Sequence, residues 1–234
     1  MSSSKSQEAK SNKWDAEFRR QYTAQQYPKW PNEAMVKMLF GSGNYLKKPF
    51  KPKSSWTVLD IGCGFANNLL PFLDIGCDCH GIDLHEGIVK NVKRIMQERG
   101  YQLTLSVGSN SSIPYQDDSF DLLISLNTLH YEGTEQKVLA ALNEFKRVLK
   151  PGGGLYISTV GPKHDIYTKA KPLLNHRYEV ANFDFRDGQK FFFFDNERYL
   201  NYYCQMVFDD VEIGRVTEKM PNFNLDFLTA LCRQ

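Results

Sequence analysis

The sequence predicts a doubly wound α/β fold, in which a mostly parallel β-sheet carries helices on both faces. Short β-branched segments alternate with segments of helical apolar spacing, and this alternation is typical of βαβ units. A glycine-rich turn, Gly62-Cys63-Gly64, follows the first of these strands, where open α/β sheets bind ligands. Near the C-terminus, two apolar segments lack an intervening helix, which predicts an antiparallel strand pair.

Length and composition indicate one globular domain with a sizeable core. The chain has 234 residues, of which 41% are hydrophobic and 24% charged, and its formal net charge is +2. Nucleic-acid-binding domains are usually more basic, so we expect no nucleic-acid partner. The densest basic run, 47–53, contains two prolines. We interpret this run as a solvated linker, with contact to an anionic substrate as the alternative.

The five cysteines indicate neither a disulfide framework nor a zinc site. Their number is odd and none has the Cys-x-x-Cys spacing of zinc ligands, so we expect reduced thiols and no metal. The first residues lack the apolar core of a signal peptide, and no apolar run reaches the ~18–20 residues that span a bilayer. A cytoplasmic protein without a membrane partner is therefore expected, and its oligomeric state is open.

Three parts are predicted along the chain, namely a disordered tail over 1–12, an N-terminal helical cap with its linker over 13–55, and the main domain over 56–234. The tail is rich in Ser, Lys and Gln and has almost nothing to bury. In the cap, Trp14, Phe18 and Tyr22 recur at the spacing of an amphipathic helix. Asn32 is a suitable N-cap for a second helix that continues to Phe40.

The main domain has five predicted parallel strands, at 57–61, 79–84, 103–107, 120–126 and 155–160. Helices are predicted between them at 67–73, 88–99 and 135–149. In the last third we predict a strand over 191–194, a helix over 196–205, and an antiparallel pair formed by 207–217 and 225–232. The four consecutive phenylalanines at 191–194 cannot all face one side of a strand, so core packing and a pocket wall are both open for them.

Two features of the main domain predict an adenosine-containing ligand. Gly62 and Gly64 let a ligand approach the backbone, and Asp83 ends the second strand, where a carboxylate can accept both ribose hydroxyls. The dinucleotide pattern Gly-x-Gly-x-x-Gly/Ala would require a small residue at Asn67, whereas the third small residue is Ala66. A P-loop sequence does not occur either.

Four ordered motifs between 58 and 160 resemble those of the class I S-adenosylmethionine-dependent methyltransferases. They are Asp60-Ile61-Gly62-Cys63-Gly64-Phe65-Ala66, Gly81-Ile82-Asp83-Leu84, Ile113-Pro114-Tyr115-Gln116-Asp117-Asp118-Ser119-Phe120-Asp121 and Phe145-Lys146-Arg147-Val148-Leu149-Lys150-Pro151-Gly152-Gly153. The resemblance implies a seven-stranded sheet in the order 3-2-1-4-5-7-6, with the last strand antiparallel. It also implies S-adenosyl-L-methionine as cofactor and S-adenosyl-L-homocysteine as product.

The resemblance further implies a set of cofactor-binding residues. The expected roles are a wall beside the methionine part, a clamp on the ribose, contacts to the adenine and acceptors for the ammonium. The residues concerned are Asp60, Gly62, Cys63, Gly64, Asn68, Asp83, Leu84, Ile88, Ser109, Asn110, Ser125 and Leu126. Asp83 is the expected ribose clamp, with a helix N-cap as the alternative. The family often has an Asp near Ser109, where this chain has Ser109-Asn110; these two residues either bond to the adenine or only form a turn.

The expected acceptor site lies at the carboxyl edge of the sheet. His130 follows the fourth strand and is the candidate general base or acceptor contact, with a structural loop histidine as the alternative. His164, which follows the fifth strand, is a weaker candidate. Tyr22, Tyr27 and Trp30 either close over the site or belong to a helix packed on the sheet. We expect residues 161–205, which lie outside the motifs, to cap the acceptor side.

The predicted function is methyl transfer to an oxygen or nitrogen acceptor, which we expect to be a small molecule because the domain is nearly minimal. A protein or RNA methyltransferase is the first alternative. The segment Asn127-Thr128-Leu129-His130 does not match the [Asn/Asp]-Pro-Pro-aromatic motif of amine methylation, and no catalytic-cysteine pattern occurs. A non-catalytic S-adenosylmethionine-binding subunit is the second alternative.

Overall fold

The protein is described from a computed structural model, which gives the backbone of residues 2–234 and the side chains of residues 13–234. Its strands are β1 (Thr57–Ile61), β2 (Asp78–Asp83), β3 (Thr104–Val107), β4 (Phe120–Leu126), β5 (Leu149–Val160), β6 (Lys171–Pro172), β7 (Arg177–Glu179), β8 (Lys190–Phe192), β9 (Asp210–Met220) and β10 (Phe223–Arg233). Its α-helices are α1 (Ser2–Thr23), α2 (Glu33–Phe40), α3 (Leu70–Asp74), α4 (Glu86–Glu98), α5 (Glu135–Val148), α6 (Asp165–Thr168) and α7 (Glu197–Gln205).

The main sheet has seven strands in the order β3-β2-β1-β4-β5-β10-β9. The pairs from β3 to β5 are parallel, whereas β10 is antiparallel to both β5 and β9. The predicted strand order and the predicted antiparallel pair are therefore confirmed. β5 begins six residues before the predicted position because its first residues continue from α5 and join β4 across an irregularity in the register.

Helices cover both faces of this sheet. Within β1, Leu59 belongs to the hydrophobic cluster beneath α5 and α7, and its neighbour Val58 belongs to the cluster beneath α2 and α4. This alternation follows from the two-residue period of a strand, and it explains why the strands are apolar on both sides. Asn32 caps α2 as predicted, since its Oδ1 accepts a 2.9 Å hydrogen bond from the Met35 amide.

The N-terminal helix α1 packs on the main domain through its C-terminal half. Phe18 is buried, and its ring stacks on that of Phe65 at 4.0 Å. The helix begins at Ser2, within the segment for which the sequence predicts a disordered tail. Lys, Gln, Glu and Ala favour helical backbone even where little is buried. The side chains of residues 1–12 lie outside the described part of the chain, and the tail stays a prediction.

Residues 161–205 contain α6, α7 and a small antiparallel sheet in the order β6-β7-β8. The segment is called the cap below, after its predicted role, which stays a prediction. The four phenylalanines at 191–194 are all buried. Phe192 and Phe194 face the main core, whereas Phe191 and Phe193 belong to a separate cluster with Val160. The expected split of these four side chains between two faces is thus observed. None of the helices described over 2–234 is long and apolar enough to cross a bilayer.

Candidate functional site

The glycine turn after β1 lies at the carboxyl edge of the sheet and leaves space beside its backbone. Gly62 has φ +67°, and a Cβ there would lie 2.4 Å from Thr128 Cγ2, so this position requires glycine. Gly64 also has a positive φ, +50°, but a Cβ there would meet none of the described atoms within 4 Å. Gly64 is therefore the place where a ligand can approach the chain.

Asp83 connects this turn to the start of α4. Its Oδ2 accepts a 3.2 Å hydrogen bond from the Gly64 amide, and its Oδ1 accepts a 3.1 Å bond from the His85 amide. His85, and not Asp83, is the N-cap residue of α4, so Asp83 does not have the alternative role of helix cap. Burial raises the pKa of Asp83, and the bonds from His85 and Gly64 partly offset that effect.

Asp60 is a second buried carboxylate at the same turn. The side chain is 1% exposed, and its Oδ2 has no hydrogen-bond partner among the residues whose side chains are described. Burial, followed by the neighbouring charge of Asp83, raises its pKa well above the ordinary value. An unpaired buried carboxylate oxygen is costly, so this position suits a ligand that brings a cationic or hydrogen-bond-donating group. Asp60, Gly64 and Asp83 together fit an adenosyl amino acid.

The loops after β3 and β4 are joined to each other near the turn. Ser125 Oγ and Thr128 Oγ1 lie 2.7 Å apart, and Thr128 also fills the space against Gly62. Asn110 Nδ2 donates to Glu132 Oε1 at 2.8 Å and to the Thr128 carbonyl at 3.2 Å. The Asn110 amide nitrogen is thus occupied within the protein.

The other expected adenine contacts differ in exposure. Leu84 is 64% exposed at the end of β2, while Ile88 is buried in α4. Ser109 and Ser112 form an isolated β-bridge, which agrees with the alternative that this segment only forms a turn. Leu126, whose carbonyl is an expected acceptor for the ammonium and not an adenine contact, packs against the hydrophobic cluster that contains Ile88. Their contacts with a cofactor stay predictions.

His130 lies at the carboxyl edge, where its ring is enclosed by aromatic side chains. Its Nδ1 is 3.2 Å from Thr159 Oγ1, and the rings of Tyr131 and Phe191 lie at 4.6 and 5.0 Å. Burial lowers the pKa of His130 to about 3, and the charge of Arg186 adds to the effect. The imidazole is therefore neutral over the physiological pH range.

His164 caps a helix. Its Nδ1 accepts a 3.1 Å hydrogen bond from the Ile166 amide at the N-terminus of α6, which places the ring proton on Nε2. Burial lowers the pKa of His164 to about 4, with a further contribution from Arg186. This capping bond explains the position of His164, so no contact with a methyl acceptor is needed to explain it.

The aromatic residues of the N-terminal segment are placed differently from one another. The Tyr27 ring stacks on Phe65 at 4.8 Å and lies 5.8 Å from the Tyr22 ring. Both tyrosines pack on the face of the sheet that α2 and α4 cover, in agreement with the alternative that they belong to a helix packed on the sheet. Trp30 is 81% exposed, and its carbonyl accepts a 2.7 Å hydrogen bond from Asn67 Nδ2.

Asn68 faces the N-terminal segment. Its Oδ1 accepts a 2.9 Å hydrogen bond from the Asn32 amide. The Asn68 side chain therefore joins the first helical turn after the glycine loop to the start of α2. This bond gives Asn68 a structural role beside its predicted cofactor contact.

A cluster of aromatic residues next to His85 and His130, called the roof below, was not predicted from the sequence. It consists of Trp14 from α1, Tyr131 from the loop after β4, and Phe185 from the cap. The Trp14 ring lies 5.6 Å from Tyr131 and 4.8 Å from Phe185, in edge-to-face geometry, and 6.3 Å from His85.

Arg186 is a further residue of this region for which the sequence predicts no role. Its guanidinium is held by Asp184 Oδ1 at 2.9 Å, lies 5.3 Å from the Phe185 ring, and donates to the Tyr131 hydroxyl at 3.4 Å. The alternation of aromatic and charged residues at 183–186 is the only sequence signal for this arrangement.

Comparison with known proteins agrees with this geometry. Residues 59–157 match the family model described as a methyltransferase domain. A tRNA (carboxymethyluridine(34)-5-O)-methyltransferase of Arabidopsis thaliana is 27% identical over 155 residues, which are 65% of this chain and 33% of that protein. A demethylmenaquinone methyltransferase of Renibacterium salmoninarum is 32% identical over 117 residues, which are 48% of this chain and 46% of that protein. The chain thus spans less than half the length of these two relatives.

Solved structures share the fold. A crystal structure of an S-adenosylmethionine-dependent methyltransferase from Methanosarcina mazei superposes with a TM-score of 0.64, with 20% identity over 77% of this chain and 93% of that one. The matched segment 59–157 contains both the glycine turn and Asp83, and the sheet has the strand order that the resemblance implies. Residues 59–157 therefore match a methyltransferase domain, and the chain shares the fold of a solved S-adenosylmethionine-dependent methyltransferase.

Proposed function

We propose that this protein transfers the methyl group of S-adenosylmethionine to an oxygen or nitrogen atom of a small molecule in the cytoplasm. The observation that carries the proposal is the pair of neighbouring buried carboxyl groups, Asp60 and Asp83, at the turn that contains the open Gly64. A nucleotide phosphate would make ionisation of these two buried carboxyls still less favourable, whereas the positive charges of an adenosyl amino acid would favour their ionised forms.

The residues of the turn would bind the two ends of the cofactor. The Asp83 carboxylate has further lone pairs beyond the bonds to Gly64 and His85, and these would accept the ribose hydroxyls. Asp60, together with the carbonyls of Ser125 and Leu126, would face the amino acid part. Ile88 and Leu84 would lie along the adenine, with Ser109 and Asn110 at its edge.

When bound, the cofactor supplies a methyl group on a positively charged sulfur. The contribution of this chain is then to position the acceptor and to keep water away. The roof formed by Trp14, Tyr131 and Phe185 suits both tasks, and its ring faces would attract a sulfonium by ~0.5–2 kcal/mol. Alignment of two reactants can lower a barrier by ~7–11 kcal/mol.

His130 is proposed to position the acceptor as a neutral hydrogen-bonding group. A pKa of about 3 makes the imidazole a weak base at neutral pH, so a deprotonation step by His130 would have little driving force. The hydrogen bond between Nδ1 and Thr159 fixes the ring, and the base role predicted from the sequence would apply to acidic acceptors only.

RNA is the second candidate acceptor. It is supported by the similarity to the Arabidopsis thaliana tRNA methyltransferase, while the demethylmenaquinone methyltransferase similarity supports a small acceptor. We favour the small molecule because α1 and the 183–186 segment meet above the site, through Trp14 and Phe185, and narrow the access to it.

The proposal is tested in two steps. Calorimetry with S-adenosylhomocysteine, NAD and ATP is expected to give binding of the first ligand only, because of the two carboxylates. Labelled S-adenosylmethionine is then offered with a panel of small hydroxyl and amine acceptors and with bulk tRNA. Transfer to tRNA alone would favour the second candidate, and binding without any transfer would favour a non-catalytic subunit. Tight binding of NAD or ATP would refute the proposal.

A further inference from the structure

A cavity outside the cofactor site lies between the small sheet of the cap and α7. Its volume is about 600 Å³, and its wall is formed by Glu135, Asn175, His176, Tyr178, Asp195, Tyr199, Tyr202 and Tyr203. None of the predicted cofactor or acceptor residues belongs to this wall. The cavity is largely open to solvent. Among its lining residues, Tyr202 is 56% exposed and Tyr203 is 1% exposed.

The charge of the cavity is negative. Its described lining residues include two carboxylates, Glu135 and Asp195, and neither lysine nor arginine. The Asp195 carboxylate is held in place by the Tyr167 hydroxyl at 2.7 Å and by His176 Nδ1 at 2.8 Å. Anionic ligands, including phosphates, are disfavoured in such a site.

The tyrosine rings of the cavity stand nearly perpendicular to one another. Tyr203 makes an angle of 87° with Tyr199 at 5.0 Å and an angle of 82° with Tyr202 at 5.4 Å. His176 lies 4.4 Å from the Tyr199 ring. Perpendicular aromatic faces beside carboxylates are the arrangement that binds organic cations.

The loop that carries His176 is held in an uncommon conformation. Asn175 and His176 have φ values of +59° and +54°, which residues other than glycine rarely adopt. The His176 carbonyl accepts a 3.1 Å hydrogen bond from the Phe193 amide, which attaches this loop to the segment after β8. Such backbone outliers persist where the surrounding structure over-determines them, as it does at binding sites.

We propose that this cavity binds a small organic cation, namely a primary or N-methylated amine. The ammonium would lie against the faces of Tyr199 and Tyr202, with Glu135 and Asp195 as the counter-charges. The site is separate from the proposed acceptor site, because the rings of Tyr167 and Phe193 lie between the two. Tyr167 is 4.8 Å from both Tyr178 and Phe193, and Phe193 is 6.2 Å from His130.

The test is a titration of the full chain, saturated with S-adenosylhomocysteine, with tetramethylammonium and with spermidine. Binding is followed by calorimetry and by the NMR signals of the ligand. Tyr202→Ala and Glu135→Gln are each expected to weaken binding about threefold or more, because each removes one attraction of the magnitude of an exposed cation–π contact or ion pair. The double variant is expected to lose about tenfold.

The matched controls are Tyr45→Ala and Glu98→Gln, which remove an exposed tyrosine and an exposed glutamate elsewhere and should leave the affinity unchanged. Circular dichroism establishes that each variant is folded. The proposal is overturned if neither probe binds at about 10 mM, or if the controls weaken binding as much as the cavity variants. It is also overturned if either probe competes with S-adenosylhomocysteine, or if spermidine becomes methylated when S-adenosylmethionine replaces S-adenosylhomocysteine, since the amine would then occupy the reaction site.

Discussion

At the scale of single residues, the site depends on two carboxylates with different partners. Asp83 has two backbone donors and joins the glycine turn to α4, whereas Asp60 is buried with an unpartnered oxygen among the described side chains. Asp83 therefore contributes to the shape of the site even without a ligand. If Asp60 contacts the ligand as proposed, this oxygen gains its partner on binding, and Asp60 would be the more sensitive reporter of occupancy.

Replacement of Asp83 by alanine is expected to weaken S-adenosylhomocysteine binding at least tenfold, a loss of ~1.4 kcal/mol or more, because the acceptor for the ribose hydroxyls is removed. Calorimetry on the folded variant measures this effect. The matched control is Asp78→Ala, which removes an exposed carboxylate from the start of the same strand and should leave affinity unaffected. An unaltered dissociation constant for the Asp83 variant would contradict the ribose role.

The raised pKa of Asp60 predicts a pH effect on stability. The folded chain holds the Asp60 proton more tightly than the unfolded chain, whose pKa is near 3.8. The free protein should therefore lose stability as the pH rises through the range above 3.8 up to the folded-state pKa of this carboxyl.

Asp60→Asn is expected to remove this loss and to make the ligand-free protein more stable than the wild type at pH 7. The same variant should be stabilised less by S-adenosylhomocysteine. Urea unfolding between pH 4 and 8, with and without ligand, measures both effects. If the stability of the variant depended on pH as that of the wild type does, a group other than Asp60 would be responsible for the loss of stability.

At the scale of elements, the turn after β1 contains two glycines with different requirements. Gly62 is in contact with Thr128, while Gly64 borders open space. The sequence alone does not show which glycine is needed for packing and which for access of a ligand. The residue that contacts Gly62, Thr128, lies in the loop after β4, more than sixty residues later in the chain.

Gly64→Ala is expected to cost about 1 kcal/mol of stability, from the positive φ alone, and to reduce cofactor affinity more than tenfold through the new methyl group. Gly100→Ala is the control for strain, since it has φ +79° and equally open surroundings but lies after α4. Gly62→Ala should destabilise the protein further than either, because its Cβ meets Thr128 at 2.4 Å. Thermal unfolding and calorimetry separate these effects; equal affinity of the Gly64 and Gly100 variants would argue against ligand access at the turn.

Helix α1 contributes the Trp14 side chain to the roof. Trp14→Ala should lower the transfer rate about tenfold, because the opened roof would admit water and loosen the acceptor. Trp30→Ala is the control, since its indole is 81% exposed and should change the rate less than twofold. Initial rates with labelled cofactor distinguish the two. A larger effect at Trp30 would mean that the N-terminal segment closes in another arrangement.

At the scale of the whole molecule, 29 basic and 27 acidic residues nearly balance. Transfer to a small uncharged acceptor should therefore change less than twofold between 50 and 200 mM salt. Binding of RNA through several phosphate contacts would instead fall by orders of magnitude over that range. Initial rates at several salt concentrations provide the measurement, with a viscosity-matched neutral solute as control. A steep salt dependence would support the RNA alternative.

The sequence alone was sufficient to predict the sheet and the turn. Strand periodicity, alternation with helices and the spacing from Gly62 to Asp83 are local properties, and the carboxyl ends of parallel strands necessarily meet at one edge. The strand order was predicted through the family resemblance and is confirmed. The observed strand limits differ from the predicted ones by a few residues, as in β9 and β10. The pairing within this hairpin extends beyond the apolar part of each strand.

Only the tertiary structure decided which side chains meet above that edge. It placed Trp14 and Phe185 together, turned the Trp30 indole outward, engaged Asn68 with the N-terminal segment and made His164 a helix cap. These outcomes depend on contacts between segments that are far apart in the chain. A local pattern records whether a side chain tends to be buried, but the partner that buries it is chosen by the packing of the whole fold.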